Sequence, residues 1–198
     1  MLLVHSADVS PVAFRRMLAD GALAPLLPGV ARPVDVPESS GVRAAAAACH
    51  THPGLTLTGL GALWVAFGGR APTSLDLAAR DHRHARSWAP TMPSRVHSGV
   101  GVGTRSGAVA APPEALVDAL RWADLGLALP RASRLLAAGL VDAAATLKVL
   151  DDLSTRDHTW RRAWSAWGAL RAAQGPMPRV RPAVAYSGRL APVMRRAS

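Results

Sequence analysis

Two groups of residues carry side chains that bind zinc in proteins. The first group is Cys49, His50 and His52, and the second is Asp81, His82 and His84. Zinc accepts thiolate, imidazole and carboxylate ligands. The spacing of these residues matches no established zinc pattern, and histidines two positions apart on a helix point to different sides. We therefore predict neither a metal site nor a cofactor.

Other signatures of catalysis are weak. The glycines between residues 99 and 107 resemble a phosphate-binding loop, but no helix follows them directly and no Lys-Ser or Lys-Thr pair closes the run. A metal-dependent nuclease using Asp76, Asp81 and His84 is one enzyme hypothesis, although three dispersed ligands without supporting groups are common. We expect no catalytic residues and no enzymatic activity.

Tryptophan provides one candidate binding surface. Trp160, Trp164 and Trp167 recur at i, i+4 and i+7, which places all three rings on one face of a helix. Such a stripe beside arginines could stack nucleic-acid bases, but it is more often part of a core or a protein interface. We predict that this face holds a protein partner.

The net charge of +10 is unevenly distributed along the 198 residues. Residues 1–50 carry four basic and four acidic side chains, whereas residues 175–198 carry five arginines and no acid. A positive field favours phosphate-bearing or acidic partners, because each neutralised phosphate releases a counterion. Nucleic acid and an acidic protein are therefore candidate partners.

Composition indicates a folded protein. Hydrophobic residues make up 49% of the chain and charged residues 18%, which excludes a charge-rich disordered protein. No stretch approaches the roughly 20 apolar residues that span a membrane, and residues 1–5 do not resemble a signal peptide. The single cysteine excludes an internal disulfide. We expect a cytoplasmic protein that does not bind membranes.

The N-terminal elements are predicted by their capping and turn residues. Ser10 is placed to accept hydrogen bonds at the start of a helix over residues 11–19, and Asp20-Gly21 ends that helix. Apolar residues at i, i+3 and i+4, beginning with Phe14, predict a buried face, with Arg15 and Arg16 toward solvent. Two short strands around Pro28-Gly29 then complete a helix and hairpin unit.

The remaining pattern predicts an α+β fold with a partial N-terminal winged-helix element, a mixed α/β segment and a C-terminal helical region. A polar link at residues 36–41 divides residues 1–36 from an α+β domain at 37–174, and a loosely ordered basic tail covers 175–198. After the link we predict an alanine-rich helix at 41–52, a strand at 55–58 and a helical segment at 60–67. Edge-exposed strands follow within 74–109, and they include Leu75, Leu77, Val96, Val100 and Val102.

Four helices are predicted in the C-terminal region. The first follows Pro112-Pro113 and has Glu114 and Asp118 near its N-terminus, and the second covers about 132–138. The third is capped by Asp142, and the fourth begins at Ser154 and Asp157 and ends at Gln174.

Three segments also carry a family resemblance through their order. They are "FRRMLADGALAPLLPGVARPVD", "LTLTGLGALWVAFGG" and "AVAAPPEALVDALRWAD", followed by "AAGLVDAAATLKVLDDL". Together they resemble the AbiEi-type antitoxins of type IV toxin-antitoxin systems and their actinobacterial-type relatives, over most of residues 10–172. The first segment keeps the Gly29-Val30 pair of the family's hairpin but lacks its Arg and Tyr. In the third, Glu114 and Ala115 stand where the family has Arg and Thr.

The resemblance implies a winged helix that binds operator DNA and represses its own operon, and a C-terminal domain that counters a cognate nucleotidyltransferase toxin. In this hypothesis Arg15 and Arg16 face the major groove or adjacent phosphates, Ser10 positions the helix start and Arg32 touches the DNA backbone. Only nine residues precede Ser10, so the module is predicted to be truncated. DNA binding would then require a homodimer, an upstream start or the arginine-rich tail.

The alternative hypothesis is a non-enzymatic interaction protein. It would dock a partner through the tryptophan face of the last helix and would not bind DNA. Its basis is the shortened N-terminus and the zero net charge of residues 1–50.

Overall fold

Seven helices and two three-stranded sheets make up the part of the chain that the computed structural model describes, which is residues 3–52, 54–79, 91–98, 108–153 and 158–174. The predicted α+β class is confirmed at this level. The elements in chain order are β1 (Val4–His5), α1 (Pro11–Ala19), β2 (Leu23–Leu27), β3 (Val30–Pro33), α2 (Ser40–Ala48), β4 (Leu55–Thr58), α3 (Gly59–Phe67), β5 (Leu75–Ala79), β6 (Ser94–Ser98), α4 (Pro112–Trp122), α5 (Leu125–Ala137), α6 (Ala143–Asp151) and α7 (Trp160–Gln174).

The N-terminal lobe, residues 3–36, contains the predicted helix and hairpin. Helix α1 begins after Ser10, whose Oγ accepts a hydrogen bond from the Ala13 amide at 3.1 Å. Gly21 takes a φ of +72°, the left-handed conformation that commonly follows a helix end. Strand β1 pairs with β3 on the side opposite β2, so the sheet order is β1-β3-β2. The side chain of Phe14 packs with Leu23 and Ala31 in a small core between helix and sheet.

The hairpin joins the lobe to the rest of the molecule. Leu26, Leu27 and Val30 belong to the main hydrophobic core and not to the small core under α1. The Pro28-Gly29 turn therefore lies against the body of the protein. The boundary predicted at residue 36 falls in the link between β3 and α2, and side chains pack across it.

The second sheet has the order β4-β5-β6, with β4 and β5 antiparallel and β5 and β6 parallel. Val109 adds an isolated parallel bridge to Leu57 on the other side of β4. All five residues of β5 are buried because this strand is central and covered. The prediction of an edge-exposed strand at Leu75 and Leu77 is therefore wrong, although a strand does form there. Val96 lies in β6, and the predicted strand residues Val100 and Val102 lie outside the described residues.

Helix α4 is the centre of the helical region. It contacts α3, α5, α6, α7 and strand β4, and every residue from Ala115 to Arg121 is buried. Helix α5 begins at Leu125, seven residues earlier than predicted, because Asp124 caps it, and Pro130 lies inside this helix. Helix α2 ends at Ala48, four residues before the predicted end. None of the helices within the described ranges is long and apolar enough to cross a bilayer.

Candidate functional site

Helix α1 presents one exposed face to solvent. Val12, Arg15, Arg16 and Ala19 follow one another at i, i+3, i+4 and i+7, so they form a single stripe opposite Phe14. Val12 is 68% exposed, and the Arg16 side chain is 82% exposed. Only the inward side of α1 is used for packing, which leaves this stripe, hereafter the α1 face, available to a partner.

Both guanidinium groups of the α1 face are accessible. Arg16 Nε lies 3.6 Å from Asp20 Oδ2, and both side chains are mostly exposed, so this pair contributes little to stability and separates easily. Arg15 has no ion pair or hydrogen bond within the described ranges. An anion that approached the α1 face would therefore meet two cations with few competing contacts.

Ser10 and Arg32 are engaged with the main chain of the lobe. The Ser10 hydroxyl caps α1, which supports its predicted role of positioning the start of the helix. Arg32 is half-buried, and its Nη1 donates to the carbonyls of Pro33, Val34 and Val36. The Arg32 side chain thus holds the link after β3 in place, and because its Nε is buried as well, only Nη2 is left for a contact with DNA.

The Cys49-His50 pair lies where the lobe meets the body. Cys49 Sγ is 3.7 Å from His5 Nε2, and His50 Nδ1 is 2.6 Å from Thr91 Oγ1. His50 is only 4% exposed. Among the described residues, no three His, Cys, Asp or Glu side chains converge in a way that could hold a metal. Asp81, His82, His84 and the glycines between 99 and 107 lie outside the described residues.

Acid should weaken this junction because His50 is buried in its neutral form. Burial, followed by the nearby His5, lowers the pKa of His50 below its ordinary value of 6.5, and the Pro28 main chain opposes this shift with a smaller effect. The unfolded chain therefore binds more protons than the folded chain, and stability falls as the pH drops below about 6.5. Urea unfolding at a series of pH values should show this loss in the wild type and less of it in His50→Gln. An equal pH dependence in both proteins would contradict the prediction.

The predicted tryptophan face is mostly part of the core. Trp167 is 5% exposed, so its ring packs inside this chain. Trp160 and Trp164 are half-buried, with ring centroids 6.4 Å apart and planes tilted by 60°. Trp164 Nε1 is buried and has no hydrogen-bond acceptor among the described residues. A partner would contact the outer edges of Trp160 and Trp164.

A buried polar network of side chains was not predicted from the sequence. Asp118 is fully buried, its Oδ1 accepts from Arg121 Nη1 at 3.0 Å, and its Oδ2 accepts from Thr58 Oγ1 at 2.6 Å. Arg121 Nε also donates to Thr159 Oγ1, and its guanidinium stacks over the Trp122 ring. The i, i+3 spacing of Asp118 and Arg121 was the available signal. The network connects β4, α4 and the segment before α7, and its groups are already partnered, so it is structural.

Asp76 of the nuclease hypothesis is also engaged. Its Oδ1 lies 3.0 Å from His97 Nε2 and 3.3 Å from Arg95 Nε, and the His97 ring stacks on Trp122 at 3.9 Å. The other two residues of that hypothesis, Asp81 and His84, lie outside the described residues. Asp76 is therefore a buried, ion-paired carboxylate near the start of the central strand β5.

No protein-family model matches the chain, and no curated protein is significantly similar to it.

Proposed function

We propose that the protein is a DNA-binding regulator of the antitoxin type and that helix α1 is the element that contacts DNA. The observation that carries the proposal is the α1 face: Arg15 and Arg16 stand exposed beside the small side chains of Val12 and Ala19 on a helix packed against a three-stranded sheet. A helix and adjoining hairpin of this kind are the parts from which winged-helix modules are made.

The α1 face has the chemistry for reading a major groove. Arginine pairs with guanine O6 and N7 through two hydrogen bonds, and it also binds phosphate. Small apolar side chains such as Val12 and Ala19 can contact the thymine methyl group and allow the helix to approach the bases closely. The helix has nine residues and is therefore about 14 Å long, close to the roughly 12 Å width of the major groove.

Charge and shape favour two copies of the lobe acting together. Residues 1–50 have no net charge, so one lobe would neutralise few phosphates and bind DNA weakly. The hairpin turn lies against the body, so it adds little reach beside α1. A homodimer that placed two α1 helices in successive major grooves would double the contacts and would match a palindromic operator.

The antitoxin part of the proposal rests on the resemblance of the three segments and on the exposed edges of Trp160 and Trp164. In this proposal the protein represses its own operon and counters a nucleotidyltransferase toxin through a surface that includes the last helix. The alternative is an interaction module that has no DNA-binding role, and the neutral charge of residues 1–50 favours it. The two functions differ in one measurable property, the salt dependence of DNA binding.

The affinity for duplex DNA from the promoter of the protein's own operon should fall steeply as salt concentration rises. The slope of log affinity against log salt changes by about 0.9 for each phosphate contact. We expect the slope of Arg15→Ala/Arg16→Ala to be shallower by about 1 to 2, measured by fluorescence anisotropy across a salt series. Loss of phosphate contacts makes the slope shallower. Loss of a base contact instead reduces the preference for the promoter sequence over other DNA.

The matched control is Arg161→Ala/Arg171→Ala, which removes two exposed arginines from α7 and leaves α1 intact. Its slope should remain closer to the wild-type value than that of the α1 variant. A wild-type slope near zero, or equal slopes in the two variants, would exclude α1 as the DNA-contacting element and would favour the interaction module.

A further inference from the structure

A cavity of about 450 Å³ opens between the link from α3 to β5, the edge of β6 and the outer side of α5. Its volume is within the range of small-molecule sites. Four arginines from three parts of the fold line the cavity. Arg70 comes from the link after α3, Arg95 from β6, and Arg131 and Arg134 from α5. The cavity lies apart from the α1 face, and the proposed function does not use it.

The acids that line the cavity are already partnered. Asp76 is ion-paired with Arg95 and contacts His97, and Asp124 Oδ1 accepts the Gly126 amide at 2.6 Å as the cap of α5. In the part of the chain that the structure describes, no carboxylate pairs with Arg70, Arg131 or Arg134. Three arginines of the cavity therefore form no salt bridge within the described residues, and four arginines stand against two aspartates in the lining.

Arg131 shows the electrostatic consequence. Its Nη2 donates to the Gly68 carbonyl at 2.6 Å, which fixes the side chain against the end of α3, while its buried Nε has no acceptor among the described residues. Burial, followed by the charges of Arg134 and Arg43, lowers the pKa of Arg131 from its ordinary value. An anion in the cavity would offset this crowding of positive charge.

The cavity also has an apolar wall. Leu60, Pro72 and Leu127 line it beside the arginines. An inorganic ion would leave this surface wet, whereas an organic phosphate would place its apolar portion there and its phosphate near the guanidinium groups. Arginine is suited to the phosphate because its planar donors match the oxygens of that group.

We propose that this cavity is a binding site for a small organic phosphate of nucleotide size, with Arg70, Arg131 and Arg134 as the phosphate-binding residues. The site is independent of DNA recognition by α1. Arg70 and Arg134 are exposed, and neither is paired with an acid among the described residues, so both can be changed without disturbing the core.

Isothermal titration calorimetry of the full chain with nucleoside monophosphates tests the site, with adenosine as the probe that lacks phosphate. We expect one nucleotide per chain and no measurable heat of binding with adenosine. Arg70→Gln/Arg134→Gln should lower the nucleotide affinity by about tenfold or more, because each charged hydrogen bond contributes about a factor of ten. Arg161→Gln/Arg171→Gln on α7 should bind as the wild type does.

Three results would overturn the inference: no binding of any nucleoside monophosphate, equal affinities in the two double variants, or adenosine binding as tightly as AMP. Circular dichroism melting of Arg70→Gln/Arg134→Gln should match the wild type, which separates loss of the site from loss of the fold. Arg15→Ala/Arg16→Ala should bind nucleotide normally. A failure of DNA binding therefore leaves the cavity proposal standing, and a failure of nucleotide binding leaves the α1 proposal standing.

Discussion

Asp118→Ala should lower the free energy of unfolding by about 3–5 kcal/mol, the largest effect we expect from a single substitution. Asp118 is 0% exposed, and Arg121 is 2% exposed. Removing the carboxylate breaks the 3.0 Å ion pair with the buried Arg121 guanidinium and the 2.6 Å hydrogen bond that Thr58 Oγ1 donates to it. The stacking of Arg121 on Trp122 and its hydrogen bond to Thr159 remain in this variant, so the loss reports on the contacts of the Asp118 carboxylate.

Urea unfolding measures this loss. The control is Asp151→Ala, which removes an exposed carboxylate at the end of α6 and should change stability by less than about 0.5 kcal/mol. If Asp118→Ala is too unstable to study, Asp118→Leu/Arg121→Met supplies the same test, because removing both charges should cost less than removing one. A loss below about 1 kcal/mol in Asp118→Ala would show that the ion pair does not hold α4 in place.

Arg43→Met should lower the free energy of unfolding by about 2–3 kcal/mol. Arg43 extends from α2 to the C-terminal end of α3, where its Nε donates to the Val65 carbonyl at 3.0 Å and its Nη2 lies 3.5 Å from the Ala66 carbonyl. The last carbonyls of a helix have no partner within the helix, and a buried acceptor left unsatisfied costs about 1–3 kcal/mol. Methionine keeps much of the apolar stem, so the loss reports mainly on the guanidinium.

Glu38→Gln is the matched control for Arg43. Glu38 Oε1 accepts from Arg43 Nη1 at 3.0 Å, and its side chain is 36% exposed, so loss of this charge should cost about 1 kcal/mol or less. Urea unfolding measures the loss of unfolding free energy in both variants. The loss in Glu38→Gln reports on the ion pair alone, whereas the loss in Arg43→Met includes the hydrogen bonds to α3. Equal losses in the two variants would contradict our inference that Arg43 stabilises the protein mainly through its hydrogen bonds to the end of α3.

Local signals in the sequence predicted the elements well. Ser10, Asp142 and Gly21 mark helix ends in the structure as they do in the pattern, because a cap or a left-handed residue acts within a few positions. The inward position of Phe14 and the exposure of Arg15 and Arg16 follow from helical periodicity. The geometry of the α1 face was therefore predictable, while its role in DNA binding stays a prediction.

Features that depend on distant residues were not predictable in the same way. The sequence pattern places Asp118 near the N-terminal end of a helix, whereas the structure buries it against Thr58, sixty residues away in sequence. The burial of Trp167 and the central position of β5 likewise depend on which elements pack together. The arginine cavity joins side chains from three separate segments, and periodicity within one element carries no information about such a grouping.

The central position of α4 also governs when this chain can fold during synthesis. Strands β4 and β5 leave the ribosome well before α4, so the side chain of Thr58 and the apolar surface of α3 must wait for a helix that has not yet been translated. Until then the nascent chain exposes surface that chaperones recognise and that promotes aggregation. We expect the body of the protein to fold in a late, concerted step, whereas the elements of the N-terminal lobe are complete much earlier.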